Sequence, residues 1–300
     1  LANSLTTPES IRTFQRKLYA KAKSEPEFRF YSLYDKVHRR DILEHAYRQC
    51  RANGGAGGVD GMTFERIEAA GLEAWLVNLQ KDLESGTYKP QPVRRVMIPK
   101  PGGGERPLGI PTIRDRVAQT AAKIVLEPVF EADFEESAYG YRPGRSAADA
   151  IKEVHRKLIE GHTEVVDADI SAYFDTIPHS ELLKCVARRV SDSAMLKLVK
   201  LWLKTPVEER DGKGRPRLTG GKRNSRGTPQ GGVLSPLLAN IYMRRLLVYF
   251  RMSGAAERFQ ARIVNYADDF VILCRREGRQ ALDWTRRVTE RVGLRLNESK

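Results

Sequence analysis

The sequence predicts an α+β protein, an antiparallel sheet with helices packed on one face. Strand-like runs (VRRVMIP, TEVVDADI, ARIVNY, FVILC) interleave with capped amphipathic helices, and no segment repeats another. In NYADDFVIL the β-branched and aromatic flanks IVNY and FVIL read as the two arms of a hairpin with a pair of aspartates at its turn. Three hundred residues allow one large domain or two intimately built subdomains.

Taken in order, residues 1–34 form a basic N-terminal extension. DILEHAYRQCR is an amphipathic helix closed by the glycine loop ANGGAGGVDG, and Thr63 caps a helix that runs toward Gly86. From Pro90 the pattern changes: VRRVMIPKPGGGERPLGIP places two strands around a Lys-Pro-Gly-Gly-Gly tip, a flexible hairpin carrying Lys100. Thr112 and Asp115 open the helix IRDRVAQTAAKIVLE, which should stop at Pro128. Ser146 and Asp149 repeat the device before AADAIKEVHRKLIEG. The strand TEVVDADI then leads into an irregular SAYFDTIPHS and helices through about Lys204. Residues 204–226 carry eight Lys/Arg against three acidic residues and read as an exposed loop or ribbon. Ser235-Pro236 starts a helix directly after the glycine pair of TPQGG; the hairpin, a helix over 278–292 and a strand-like GLRL follow.

Fifty-two Lys and Arg against 38 Asp and Glu give a net charge of +14 and a sequence pI near 9.8. Such an excess points to a polyanionic partner. No run of about 18 apolar residues exists, and LANSLTTPES lacks the two regions of a secretory signal, so no membrane partner and a cytoplasmic location are expected. Cys50, Cys185 and Cys274 are odd in number and far apart, which excludes a disulfide framework and a C-x-x-C zinc knuckle. The start at Leu1 and the stop at NESK read as a piece cut from a longer parent.

Two carboxylates about 4 Å apart repel by about 1 kcal/mol in water and about 4 kcal/mol at an effective dielectric of 20. A solvated hairpin tip and a cation site explain Asp268 and Asp269 equally well on composition alone. A second strand adds carboxylate: Asp167 and Asp169 share one face by the two-residue period, and Asp169 sits where that strand breaks up. Oxygen donors on neighbouring strand ends suit Mg²⁺, which takes one or two protein carboxylates plus substrate phosphates. Alternation along a strand favours Asp268 over Asp269 as a full ligand, and Asp167 and Asp175 read as structural.

YADD on a hairpin, the upstream ADISAYFD and the intervening RGTPQGGVLSPLLANIYM resemble a reverse transcriptase, in the same block order. RPLGIPTIRDRVAQ, GYRPGRSAADAI and PQGGVLSPLLANIYM resemble, more narrowly, the reverse transcriptase–maturase proteins of bacterial group II introns, over about residues 35–300. The resemblance implies the fingers and palm of a right-hand polymerase with the thumb absent: 35–164 mainly fingers, 165–203 palm with the first catalytic strand, 204–227 a basic insert loop, and 228–300 palm with the YADD hairpin. GLRL would lie short of the strand that completes the palm edge. The implied activity is RNA-directed DNA synthesis in the bacterial cytoplasm, with binding of the intron RNA as splicing maturase.

By resemblance, Asp169 and Asp268 hold two Mg²⁺ ions, Asp269 supports them and the backbone carbonyl of Ile170 is a further ligand. Two ions would activate the primer hydroxyl and steady the triphosphate and departing pyrophosphate. Phe174 would lie under the incoming sugar and block a 2′-hydroxyl, and Gln230 would line the nucleotide pocket. Lys100 and Arg106 would clamp the triphosphate, and Lys300 matches a lysine that protonates pyrophosphate. Arg142, Arg145, Asn224 and Arg226 would contact the template backbone; Arg114 and Arg116 fit either that role or a fold-stabilising one. The N-terminal segment and the 204–226 insert would help hold group II intron RNA. Expected partners are therefore that RNA, an RNA template with a DNA primer, and dNTPs, with a homodimer left open. The alternatives are an RNA-binding splicing cofactor with little polymerase activity, or a CRISPR-associated, retron or diversity-generating reverse transcriptase.

Overall fold

The computed structural model describes residues 6–99, 103–210, 214–229 and 231–297. The chain begins with helices α1 (Glu9–Ser24), α2 (Tyr34–Val37), α3 (Arg40–Asn53) and α4 (Phe64–Glu84), followed by strands β1 (Val93–Pro99) and β2 (Glu105–Ile110). Helices α5 (Ile113–Glu131) and α6 (Ala147–Ile159), strand β3 (Glu164–Asp169), and helices α7 (Tyr173–Thr176), α8 (His179–Ala187) and α9 (Ser193–Leu203) come next. Strands β4 (Pro206–Arg210) and β5 (Pro216–Gly220) lead to α10 (Ser235–Met252), α11 (Ala255–Arg258), β6 (Ala261–Tyr266), β7 (Asp269–Cys274) and α12 (Gly278–Arg291). Two compact units result, one from residues 1–133 and 183–235, the other from 134–182 and 236–300. None of the described helices is long and apolar enough to cross a membrane.

The first unit is built around α5, which buries 14 of its 19 residues and therefore works as a core helix, not a surface one. It does not stop at Pro128 but continues to Glu131. Proline removes the N–H that would have bonded the Ile124 carbonyl; Gln15 Nε2, from α1, donates to that carbonyl at 3.1 Å instead. Residues 9–34 are accordingly docked. Ile11 and Leu33 are fully buried, and Asp192 Oδ2 accepts the backbone N–H groups of Leu33 and Tyr34, each at 2.8 Å. The Arg189 guanidinium donates to the carbonyls of Ala22 at 2.5 Å and Glu25 at 3.0 Å. The expected basic extension is, in the main, a packed helix.

At the start of α5, buried Asp115 gathers three donors: the Tyr88 hydroxyl at 2.5 Å, the Thr112 hydroxyl at 2.8 Å and the Gln91 N–H at 3.1 Å. Burial pushes its carboxyl above the usual carboxylate range. Trp202 of α9 donates its indole N–H to the Tyr88 oxygen at 3.1 Å, which ties a third segment to the network. Arg114 pairs with Asp82, while Arg116 holds the glycine loop by donating to the carbonyls of Gly54 at 3.0 Å and Ala56 at 2.5 Å. Both arginines thus have fold-stabilising partners. Gly58 is required in that loop, since a Cβ there would stand 2.7 Å from Thr112 Cα.

Within the 204–226 stretch, β4 and β5 form an antiparallel ribbon, and it is not a separate module. β4 pairs in parallel with β1 (Val93 with Val207) and antiparallel with β5, so the ribbon extends the β1–β2 hairpin into a four-stranded sheet ordered β2-β1-β4-β5. Arg95 and Glu209 face each other across β1 and β4 as an ion pair.

The second unit holds a three-stranded antiparallel sheet, β3-β7-β6, in which Asp169 is the register partner of Asp269. Val166, Ala168, Phe270 and Ile272 share the fully covered face. On the other face Asp169, Asp269 and Tyr266 occupy one end, while Ala150 and Val154 of α6 pack against Val264, Val271 and Leu273 at the other. All three cysteines are free, and burial pushes the Cys274 thiol up to about 11.

Replacing Asp115 by Ala should strip three donors of their acceptor. We expect a loss of about 3 kcal/mol or more in a urea unfolding experiment, with the denaturation slope unchanged.

Candidate active site

The β6–β7 connection is a two-residue turn, Ala267-Asp268, closed by the Tyr266–Asp269 pair. Ala267 has φ +59°, a left-handed conformation that costs a residue with a Cβ about 1–2 kcal/mol. Several contacts hold it there. Asn265, only 1% exposed, donates its side-chain amide to the carbonyls of Ala267 at 2.9 Å and Asp269 at 3.1 Å. Residues 137–139 run alongside β6, with Asn265 N–H donating to Ser137 O and Tyr139 N–H to Asn265 O, both at 2.8 Å. Gly140 then lies flat against the turn: a Cβ on it would meet the Ala267 nitrogen at 2.4 Å. Asn240 of α10 fixes that glycine by donating to its carbonyl at 2.8 Å.

The end of β3 is clipped by the C-terminal segment. Leu296 bridges Ile170, Ser171 N–H donates to Arg295 O at 2.9 Å, and Asn297 N–H donates to Asp169 O at 2.8 Å. Asn297 also gives its side-chain amide to Asp169 Oδ2 at 3.2 Å. GLRL therefore reaches the sheet as an isolated bridge. Ile170 N–H donates to Asp268 O at 3.4 Å, which links the strand end to the turn.

These contacts bring together Asp169, Ile170, Asp268, Asp269 and Phe174 in one unit. Asp169 and Asp268 are half-buried and Asp269 is exposed. By register Asp269, not Asp268, stands opposite Asp169 on its face of the sheet, with Asp268 at the turn beside them. Asp167 is exposed on the same face. Among the described residues no three His, Cys, Asp or Glu side chains form a group able to hold a metal by themselves. An all-oxygen set suits an ion that keeps water and phosphate oxygens among its ligands.

Phe174 follows Ala172, which is left-handed at φ +46°. Its ring meets Tyr173 at 5.8 Å between centroids and Tyr141 at 6.3 Å, both edge-on.

Arg142, expected at the template backbone, makes its described contacts within its own loop. It is 8% exposed, stacks on Phe134 and donates to the carbonyls of Glu135 and Ala138, both at 2.7 Å. A guanidinium buried on carbonyls shapes the 135–141 loop. Arg145 is partly exposed and shares that work, donating to Glu136 O at 2.5 Å and lying over the Tyr139 ring.

Arg106, Asn224 and Arg226 belong to the other unit. Arg106 is exposed on β2 opposite Ile98, and Asn224 shapes the turn after β5, its Oδ1 accepting from Arg226 N–H at 3.4 Å. Lys100, Gln230 and Lys300 lie outside the described residues. Next to Gln230, Gly231 has φ +96°, and a Cβ on it would stand 2.1 Å from Gly109 O of β2.

Sequence reasoning missed Asn265, Asn240, Asn297, Gly140 and Tyr141. One signal was present: asparagine is depleted in strands, and Asn265 interrupts an otherwise apolar IVNY.

Comparison with known proteins bears on this geometry. The sequence profile of the family described as "Reverse transcriptase (RNA-dependent DNA polymerase)" matches residues 98–300. Protein YkfC of Escherichia coli (strain K12) is 40% identical over 257 residues, 83% of this chain and 65% of that protein. The group II intron-encoded protein LtrA of Lactococcus lactis subsp. cremoris is 37% identical over 225 residues, 72% of this chain and 35% of LtrA. The chain thus spans about two thirds and about one third of these two relatives. A solved telomerase from Candida albicans matches with a TM-score of 0.52 at 14% identity, over 76% of this chain and 46% of that one, a likeness of fold alone.

Asn265→Ala should leave the Ala267 and Asp269 carbonyls without their buried donor. The expected cost is about 2–4 kcal/mol in chemical denaturation.

Proposed function

The chain belongs to the reverse transcriptase family, and from that premise we propose that it is the fingers and palm of a group II intron RNA-directed DNA polymerase that also binds its intron RNA as maturase. The observation that carries this is the juxtaposition of Asp169 and Asp269 across β3 and β7 with Asp268 at the adjoining turn. The intron-encoded relatives support the lineage.

When bound, two Mg²⁺ ions would lower the pKa of a primer hydroxyl and offset charge on the triphosphate and pyrophosphate. The carboxylates of Asp169 and Asp268 and the Ile170 carbonyl would hold them, with Asp269 in support. Asn297 donates to Oδ2 of Asp169 and so fixes the orientation of that carboxylate. Asn265 keeps the turn from relaxing out of its left-handed conformation. Phe174 excludes a 2′-hydroxyl, Gln230 lines the nucleotide pocket, and Lys100 and Arg106 take the triphosphate. Arg145, Asn224 and Arg226 remain candidates for template phosphates, with Arg142 shaping the loop from which Arg145 projects. Contacts of that kind make affinity fall steeply with salt, by about one released counterion per phosphate neutralised.

Primer extension on an RNA template with dNTPs and Mg²⁺ tests this reading. Asp268→Asn should lose roughly 100-fold or more of the rate, the scale on which a single group that stabilises transition-state charge acts, while retaining RNA binding. Equal extension by both proteins contradicts the assignment; loss of RNA binding together with extension indicates misfolding of the site.

A further inference from the structure

Among the described residues, five non-glycine residues have left-handed backbone: Tyr141, Ala172, Gln260, Ala267 and Glu277. Three of them belong to the segments around the carboxylates. Ala267 makes the turn before Asp268, and Ala172 makes the bend between Asp169 and Phe174. Tyr141 follows the glycine that lies on Ala267. Left-handed backbone is rare for a bulky residue, and such strain concentrates where the surrounding structure uses it.

Burial of its ring does not explain the conformation of Tyr141, because 48% of the residue is exposed. Its neighbours are fixed instead. Gly140 is pressed onto the Ala267 nitrogen and held by Asn240, and Arg142 is buried on the Glu135 and Ala138 carbonyls. Between two anchored residues, φ +56° sets the Tyr141 ring edge-on to Phe174, with centroids 6.3 Å apart and planes at 77°. Phe174 is met on another side by Tyr173, at 5.8 Å and 65°. Tyr173 is 2% exposed and its hydroxyl donates to Ala239 O at 2.7 Å, so that wall is rigid. Tyr141 is the exposed wall.

We propose that Tyr141 is a positioning residue for sugar selection: its ring edge holds Phe174 at the tilt that discriminates deoxyribonucleotides from ribonucleotides, and Gly140 couples that tilt to the carboxylate turn. The proposal rests on the reading of Phe174 as the residue beneath the incoming sugar. It extends that reading by naming what sets the gate and why a tyrosine tolerates left-handed backbone there.

The test compares incorporation of one dNTP and its rNTP by the full chain on a primed RNA template, read as the ratio of their kcat/KM values. Tyr141→Ala should lower the ratio roughly 2- to 10-fold, the factor that an aromatic edge contact is worth, and Tyr141→Phe should preserve it. Phe174→Ala should lower it further, and adding Tyr141→Ala to Phe174→Ala should change nothing more. If Phe174→Ala leaves the ratio unchanged, the gate reading fails and the proposal with it. If Phe174→Ala lowers the ratio while Tyr141→Ala does not, the proposal alone fails. It also fails if Tyr141→Ala acts equally in the Phe174→Ala background. Should Tyr141→Ala not fold, Tyr141→Leu decides: it keeps apolar bulk without an aromatic edge, and a wild-type ratio overturns the proposal. Incorporation of neither nucleotide by the unsubstituted chain overturns both readings.

Discussion

The side-chain amide of Asn265 is the interaction on which the site depends. Two carboxylates at consecutive positions repel, and the turn that presents them begins with an alanine in left-handed backbone. Left alone, such a turn would widen. A buried amide bonded to the carbonyls on either side of Asp268 opposes that, because breaking its buried bond to Ala267 O leaves that carbonyl without this donor. The backbone of the turn on either side of Asp268 is therefore held by a neighbouring side chain.

From that turn the constraint spreads in two directions within its unit. Outward, Gly140 seats the 137–141 loop on Ala267, and the loop carries two arginines that brace it from within. Across the sheet, the Asp169–Asp269 register and the Ile170–Asp268 bond join the turn to β3, whose end Asn297 clips from the other side. Three asparagines hold the carboxylate segments: Asn297 bonds Asp169, Asn265 bonds the carbonyls that flank Asp268, and Asn240 acts through Gly140. An amide is well matched to this role, because it brings donors to carbonyls and carboxylates without adding a charge of its own.

Features governed by local chemistry were legible in the sequence. The Ser146–Asp149 capping box is present in full, Thr112 caps α5, and the NYADDFVIL hairpin closes where β-branched arms meet a polar turn. Features governed by distant partners were not. Pro128 is tolerated inside α5 because Gln15, 109 residues away along the chain from Ile124, supplies the missing donor. Arg142 looks like any basic loop residue until its carbonyl acceptors are seen. Charge misleads in the same way. Arg142 and Arg189 are buried on backbone carbonyls and the half-buried Arg116 holds two more, so the net +14 overstates what the surface offers to a polyanion. The β4–β5 ribbon was legible as a loop or ribbon, but its parallel pairing with β1 is a tertiary choice that composition does not encode.

The claim at the centre is that this carboxylate cluster is completed by divalent cations and a triphosphate. Counting Mn²⁺ by electron paramagnetic resonance, with the full chain bound to primer and template and a non-hydrolysable dNTP analogue, tests it without relying on catalysis. The account predicts about two ions per chain, falling in an Asp169→Asn, Asp268→Asn double variant that still binds the duplex. An unsubstituted chain that holds no more Mn²⁺ than this variant would contradict it.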